Sequence, residues 1–229
     1  MTIREILRAN PLFAAFDDRE LEELIQLSNP QRYPDGQWVT HYGSSWPYLF
    51  LVEEGSLEAV KESPEGRSLV ILELEKGMVF WGLGFFREGM GMPVALVARE
   101  ETRLRLWSRE ELLPLIRQNG EFTWELSKLM VERMLRASEI VEELAFQPVA
   151  ARLAHFLLEQ FGDRAGDVVS RDLTLDEMAA RIGSTREMVC RQLYKLADHG
   201  VIQINRTELK ISDLNALRER AEALKGGER

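Results

Sequence analysis

Thr174-Leu175-Asp176-Glu177-Met178-Ala179-Ala180-Arg181-Ile182-Gly183-Ser184-Thr185-Arg186-Glu187-Met188-Val189-Cys190-Arg191 is the most informative stretch of this chain. It holds two hydroxyl residues, Thr174 and Ser184, each followed three positions later by a glutamate. In that pattern the hydroxyl accepts a hydrogen bond from a free N–H of the first helical turn, and the glutamate reaches back to the cap, so each marks a helix start. Ile182-Gly183 between them supplies a tight turn. Met178, Ala179 and Ile182 form the packing side of the first helix, and Val189, Leu193 and Leu196 that of the second. Two short helices joined through a glycine predict a helix-turn-helix.

The second helix opens with side chains suited to reading DNA. Glu187, Cys190 and Arg191 share a face at steps of three and four, with Arg186 beside them. Arginine can donate two hydrogen bonds to guanine O6 and N7, and glutamate can accept from cytosine N4. The plainer reading makes Glu187 only the third residue of the capping box and the arginines a solvated face, and residue chemistry leaves both readings open. Thr174, Ser184, Thr185 and Lys195 complete the set expected at DNA.

Downstream, Val201-Ile202-Gln203-Ile204, a polar turn at Asn205-Arg206-Thr207 and Leu209-Lys210-Ile211 predict a small hairpin, a wing behind the two helices. Upstream, Val149, Leu153, Phe156 and Leu157 stripe a helix that starts after Pro148. Before Pro148, Met130, Met134, Ala137, Val141 and Leu144 recur in steps of four and three, an a/d seam that pairs a helix with another helix. Leu126, Leu129 and Ile140 form a second row on a different face. A single core-facing amphipathic helix is the alternative, and two apolar faces favour the dimer. Further upstream, turn signals at Pro34-Asp35-Gly36, Gly43, Gly55, Gly66 and Gly77 separate short apolar runs such as Tyr48-Leu49-Phe50-Leu51-Val52, as in a β-sandwich, barrel or roll.

The formal net charge of -9 argues against a nucleic-acid binder until its distribution is considered. From Gln147 onward, basic and acidic residues balance at thirteen each, so the acidic excess lies before the hinge. Within 181–210, Arg181, Arg186, Arg191, Lys195, Arg206 and Lys210 outnumber Glu187, Asp198 and Glu208, and a local basic face can hold phosphates on an acidic chain. No apolar run reaches bilayer length and the N-terminus opens into an amphipathic pattern, so the expectation is a cytoplasmic protein without membrane contact. The single cysteine, Cys190, excludes an internal disulfide or a multi-thiolate metal site within one chain. No nucleophile–base pair, metal-ligand spacing or phosphate-cradling glycine loop points to an enzyme, and no cofactor or metal is expected.

Ser-Thr-Arg-Glu-Met-Val-Cys-Arg at 184–191, followed by Leu-Tyr-Lys-Leu-Ala-Asp-His-Gly-Val-Ile at 193–202, resembles the recognition helix and wing of the cAMP receptor protein/FNR family of regulators. The resemblance covers nearly the whole chain and implies an α+β architecture. Its parts are an N-terminal cyclic-nucleotide-binding-like jelly roll (β-roll) over 1–109, a dimerisation helix region over 110–146 and a winged helix-turn-helix over 147–229. It implies a homodimeric regulator, an activator in the leading reading, that bends double-stranded DNA and contacts RNA polymerase. By the resemblance, Arg186, Glu187 and Arg191 match residues that read a TGTGA-like half-site, Thr185 a phosphate-contacting hydroxyl, and Cys190 a position that discriminates half-sites. Leu175 and Met188 depart from the polar contact residues common there. A protein-interaction module of the same fold is the alternative.

The effector region departs further. In cyclic-nucleotide-binding members a Gly-Glu pair takes the ribose and an Arg-Ser pair the phosphate. Here Trp81 and Gly82 stand for the first pair, Met92 and Pro93 for the second. Ala137 replaces a hydroxyl residue on the long helix, although Ser138 remains. A buried phosphate without its arginine would be an uncompensated charge, so a cyclic nucleotide is not the expected ligand. The N-terminal cysteine cluster of FNR-type oxygen sensors is absent. Two readings of Trp81, Gly82, Leu83, Met90, Met92, Pro93 and Ser138 stay open: a pocket filled by its own side chains, or a pocket for an apolar or aromatic effector. A third is haem on His41, although a lone histidine at a turn is more often simply exposed.

Overall fold

The computed structural model describes residues 2–222, so the end of the expected winged-helix region, 223–229, lies outside the described residues. The chain divides into two compact units, one formed by Met1–Lys61 with Ile71–Ala137, the other by Glu62–Val70 with Ser138–Arg229.

The first unit opens with helices α1 (Ile3–Ala9) and α2 (Asp18–Leu27), each begun by a complete capping box, Thr2 with Glu5 and Asp17 with Glu20. Eight strands follow: β1 (Asn29–Tyr33), β2 (Trp38–Thr40), β3 (Tyr48–Glu54), β4 (Leu57–Glu62), β5 (Ser68–Leu74), β6 (Val79–Trp81), β7 (Ala95–Ala98) and β8 (Thr102–Ser108). A one-turn helix, α3 (Leu83–Phe86), interrupts them. They build two four-stranded sheets, ordered β1-β8-β3-β6 and β2-β7-β4-β5.

β3 shows why the sheets need two cores. Leu49, Phe50, Leu51 and Val52 are all fully buried, because successive side chains leave opposite faces of a strand. Leu49 and Leu51 join one core with Ile6, Leu21, Trp107, Leu112 and Phe122, mostly helical residues. Phe50 and Val52 join the other, with Leu57, Leu96, Leu104 and Leu106 from the strands. Trp107 satisfies its buried indole N–H on the Leu24 carbonyl at 2.7 Å, which ties β8 to α2.

The region expected as one helical stretch from 110 is two helices, α4 (Arg109–Gln118) and α5 (Gly120–Phe146). Asn119 makes the break: its backbone is extended, and its side-chain oxygen accepts from Phe122 N at 2.9 Å, which restarts the helix. On α5, Leu126 is buried and Leu129 packs beside it in the helix-lined core. Met130, expected in the outer seam, is half-buried and also packs against this core. Met134 and Val141 face outward at 63% and 66% exposure, as does Ala137, and Val131 and Leu135 add to that apolar face.

The second unit contains α6 (Val149–Phe161), β9 (Val169–Ser170), α7 (Leu175–Arg181), α8 (Arg186–Asp198), β10 (Ile202–Ile204), β11 (Glu208–Ile211) and α9 (Leu214–Glu222). Its core joins Leu153 and Leu157 of α6 to Met178 of α7, Val189, Leu193 and Leu196 of α8, Leu209 and Ile211 of the wing and Leu217 of α9. The wing has a third strand that the sequence reading lacked, in the order β10-β11-β9.

Candidate nucleic-acid interface

α7 begins as its sequence dictates. Thr174 is the cap, its hydroxyl accepting from Glu177 N at 3.2 Å while the Glu177 carboxylate accepts from Thr174 N at 2.8 Å. The turn that follows depends on Gly183, whose φ is +60°, and a β-carbon there would also collide with a methyl of Leu144. Leu144, expected in the dimer seam, therefore also covers this turn.

α8 starts one residue later than its sequence suggests. The cap is Thr185, not Ser184, and the Thr185 hydroxyl accepts from Met188 N at 3.3 Å. Glu187 is thus the second helical residue, and the capping-box role considered for it does not form. Its carboxylate is held below the usual range by hydrogen bonds from its own backbone N–H and from the Thr185 hydroxyl, with Arg186 adding attraction. At neutral pH it is an anion, able to accept from a base amino group.

Val189, Leu193 and Leu196 turn inward, which forces Arg186, Glu187, Arg191, Tyr194 and Lys195 outward, with Cys190 half-buried between them. Arg186 does not wave freely: Nη1 donates to Asp176 Oδ2 at 2.8 Å. Between α8 and the wing lies a cleft of about 560 Å³, lined by Arg171, Thr174, Asp176, Arg186, Cys190, Tyr194, Asn205 and Arg206 among others. Arg171 Nη2 donates to the Arg206 carbonyl at 2.7 Å, fixing the wing tip to β9. Asn205 shapes the tip, its side-chain oxygen accepting from Thr207 N at 2.9 Å and Glu208 N at 2.8 Å. Arg171, Tyr194, Asn205 and Arg206 were absent from the residues expected at DNA. Arg206 lies in the basic stretch, whereas Arg171 reaches the cleft only through a two-residue strand that carries no recognisable pattern.

The expected effector residues differ in burial. Met92 is 1% exposed and belongs to the strand-lined core, with Val94 and Leu96. Met90 is exposed, Trp81 stacks on Phe80 with ring centroids 5.7 Å apart, and Leu83 and Pro93 are half-buried. Ser138 is exposed and belongs to the other unit. Gly82 is buried, and a β-carbon there would overlap the Trp46 carbonyl oxygen; at Gly91 it would overlap that of Gly43. None of Trp81, Gly82, Met92 and Pro93 carries a charged side chain. His41 is exposed at a turn and packs on Trp38 at 5.5 Å.

A β-roll joined through a long helix to a winged helix-turn-helix with an outward-facing arginine pair defines a DNA-binding transcriptional regulator. A family model for the Crp-like helix-turn-helix domain matches residues 151–220, and one for the cyclic nucleotide-binding domain matches residues 30–119. The chain belongs to the Crp/Fnr family. It is similar to the cyclic AMP receptor protein of Thermus thermophilus, 27% identical over 213 residues, covering 93% of this chain and 97% of that one. It is also similar to the CRP-like cAMP-activated global transcriptional regulator of Mycobacterium tuberculosis, 26% identical over 222 residues, covering 95% and 99%. Among solved structures, a Crp/Fnr-family regulator from Eubacterium rectale superposes with a TM-score of 0.79 at 20% identity, covering 93% and 98% of the two chains. The c-di-GMP-responsive global regulator CLP of Xanthomonas campestris gives 0.74 at 23% identity, covering 86% and 99%. Among the described residues no helix is long and apolar enough to cross a membrane.

Proposed function

We propose that this regulator binds a palindromic TGTGA-like site as a homodimer, in the cytoplasm, without needing cAMP, and activates transcription in contact with RNA polymerase. It carries out no catalysis in this reading. The observation that carries the proposal is the outward face of α8, where Arg186, Glu187 and Arg191 stand exposed at the helix start while Val189, Leu193 and Leu196 are buried. An arginine–glutamate–arginine face suits guanine and cytosine edges in a major groove. The exposed Met134 and Val141 on α5 supply an apolar face for a second copy, whose two-fold symmetry a palindrome would mirror.

Selection of bound sites from random DNA tests this reading. The expected result is a two-fold symmetric consensus with half-sites about one helical turn apart. A winged helix that contacts protein instead would return no consensus. Calorimetric titration with cAMP tests the effector claim, and saturable heat would refute it despite the names of the two relatives above.

One observation favours a second reading for the β-roll, an aromatic effector. Trp46 leaves a buried indole N–H without a partner among the described residues, beside Tyr48 at 5.2 Å. A change in tryptophan fluorescence on adding small-molecule extract, with tightened DNA binding, would support it. Tight binding of the selected site by purified protein, unaltered by extract, would favour a β-roll that needs no ligand.

A further inference from the structure

Asp176 is the second residue of α7, and its carboxylate holds the first residue of α8 across the turn between them. Both side chains are well exposed, Arg186 at 60% and Asp176 at 66%, on the wall of the wing cleft. No carboxylate lies within salt-bridge distance of Arg171, Arg191 or Arg206 among the described residues, so Arg186 alone of these four arginines has one. A carboxylate placed among arginines that face DNA is an electrostatic cost wherever phosphates approach. It needs a compensating role.

The geometry of the ion pair suggests that role. The bond uses Nη1. The opposite edge of the guanidinium, Nε with Nη2, presents two parallel N–H groups, and that fork matches guanine N7 and O6. Asp176 therefore grips the arginine from behind and leaves the reading edge open. A phosphate offers Arg186 one anion in exchange for another and brings its own charge toward Asp176. A guanine brings two neutral acceptors and leaves the ion pair in place.

We propose that Asp176 is a specificity-determining positioning residue, which holds Arg186 in its guanine-reading orientation and repels DNA that offers only phosphates. The inference rests on the assignment of α8 as the DNA-reading helix. It extends that assignment to a residue on the neighbouring helix that makes no base contact of its own.

The test compares wild-type protein with Asp176→Asn and Asp176→Glu on the selected site, on the same site with the Arg186 guanine replaced, and on random-sequence DNA. Asp176→Asn should bind random DNA more tightly, with a salt dependence steeper by about one counterion. Its preference for the Arg186 guanine should fall on the order of threefold to fivefold, the scale of an exposed ion pair. Preferences at the other base pairs should stay unchanged, which a general loss of structure would not produce. Asp176→Glu should retain weak binding to random DNA, and in an Arg186→Ala background Asp176→Asn should no longer alter the preference at that base pair. Equal tightening on all three DNAs, or an unchanged guanine preference, overturns the inference while leaving the DNA-reading assignment standing. Failure of the wild-type protein to select any consensus overturns both.

Discussion

Arg152 Nε donates to the Ile182 carbonyl at 2.8 Å, which ties the first turn of α6 to the turn between α7 and α8. The same guanidinium donates to the carbonyls of Gln147 at 2.6 Å, Glu143 at 3.2 Å and Gly183 at 3.2 Å. One half-buried cation thus gathers carbonyls at the end of α5 and at the turn that aims α8. Arg152→Ala should lower stability by roughly 2–3 kcal/mol, the scale for charge-assisted hydrogen bonds. Arg152→Lys should recover less than half, because an ammonium cannot reach four carbonyls from one plane. Thermal unfolding followed by circular dichroism measures both, and an unchanged midpoint in Arg152→Ala would refute the role.

Glu187 is not a capping-box residue, so substituting it tests the proposed base contact. Glu187→Gln should shift the selected site toward adenine at the pair Glu187 reads, because an amide matches adenine N6 and N7. Glu187→Ala should relax preference at that pair without changing the others. Recovery of the wild-type consensus by Glu187→Gln would show that the carboxylate reads no base.

Arg171 and Arg206 line the wing cleft opposite α8. Replacing either with alanine should weaken binding to all DNA sequences by similar factors. Each change should also reduce the salt slope by about one. A change confined to one base pair would mean instead that the wing reads sequence.

Met134→Lys and Val141→Lys place charges on the exposed face of α5. Where that face pairs with a second copy, an unpaired charge costs several kcal/mol, and the double variant should sediment as a monomer. It should also lose affinity for the full palindrome while retaining weak binding to a half-site. An unchanged sedimentation coefficient would remove α5 as the dimer contact.

Much of this was legible because local chemistry and fold agree. Thr174 with Glu177 predicts the start of α7, and the apolar triplet Val189, Leu193 and Leu196 predicts which side of α8 is outward. The start of α8 is not fixed by the sequence pattern, because Ser184 and Thr185 are both competent caps, and the structure uses Thr185. Asn119 broke a helix that the apolar period ran straight through, since a period carries no information about one extended residue. The place of Arg171 at the cleft and the burial of Met92 are not legible for a different reason. Their positions are set by pairing with residues distant in sequence: β9 lies against β11, and the main chain of Met92 exchanges hydrogen bonds with that of Gly43 and Ser44. Such contacts leave no trace in neighbouring residues.

On the resemblance described above, Gly82 stands where cyclic-nucleotide-binding members carry an acidic side chain, and a β-carbon on it would overlap the carbonyl oxygen of Trp46. Restoring the acid at this one position would displace backbone before any ligand could benefit. An acid at Gly82 therefore asks for coordinated movement of the Trp46 main chain and not for one substitution alone.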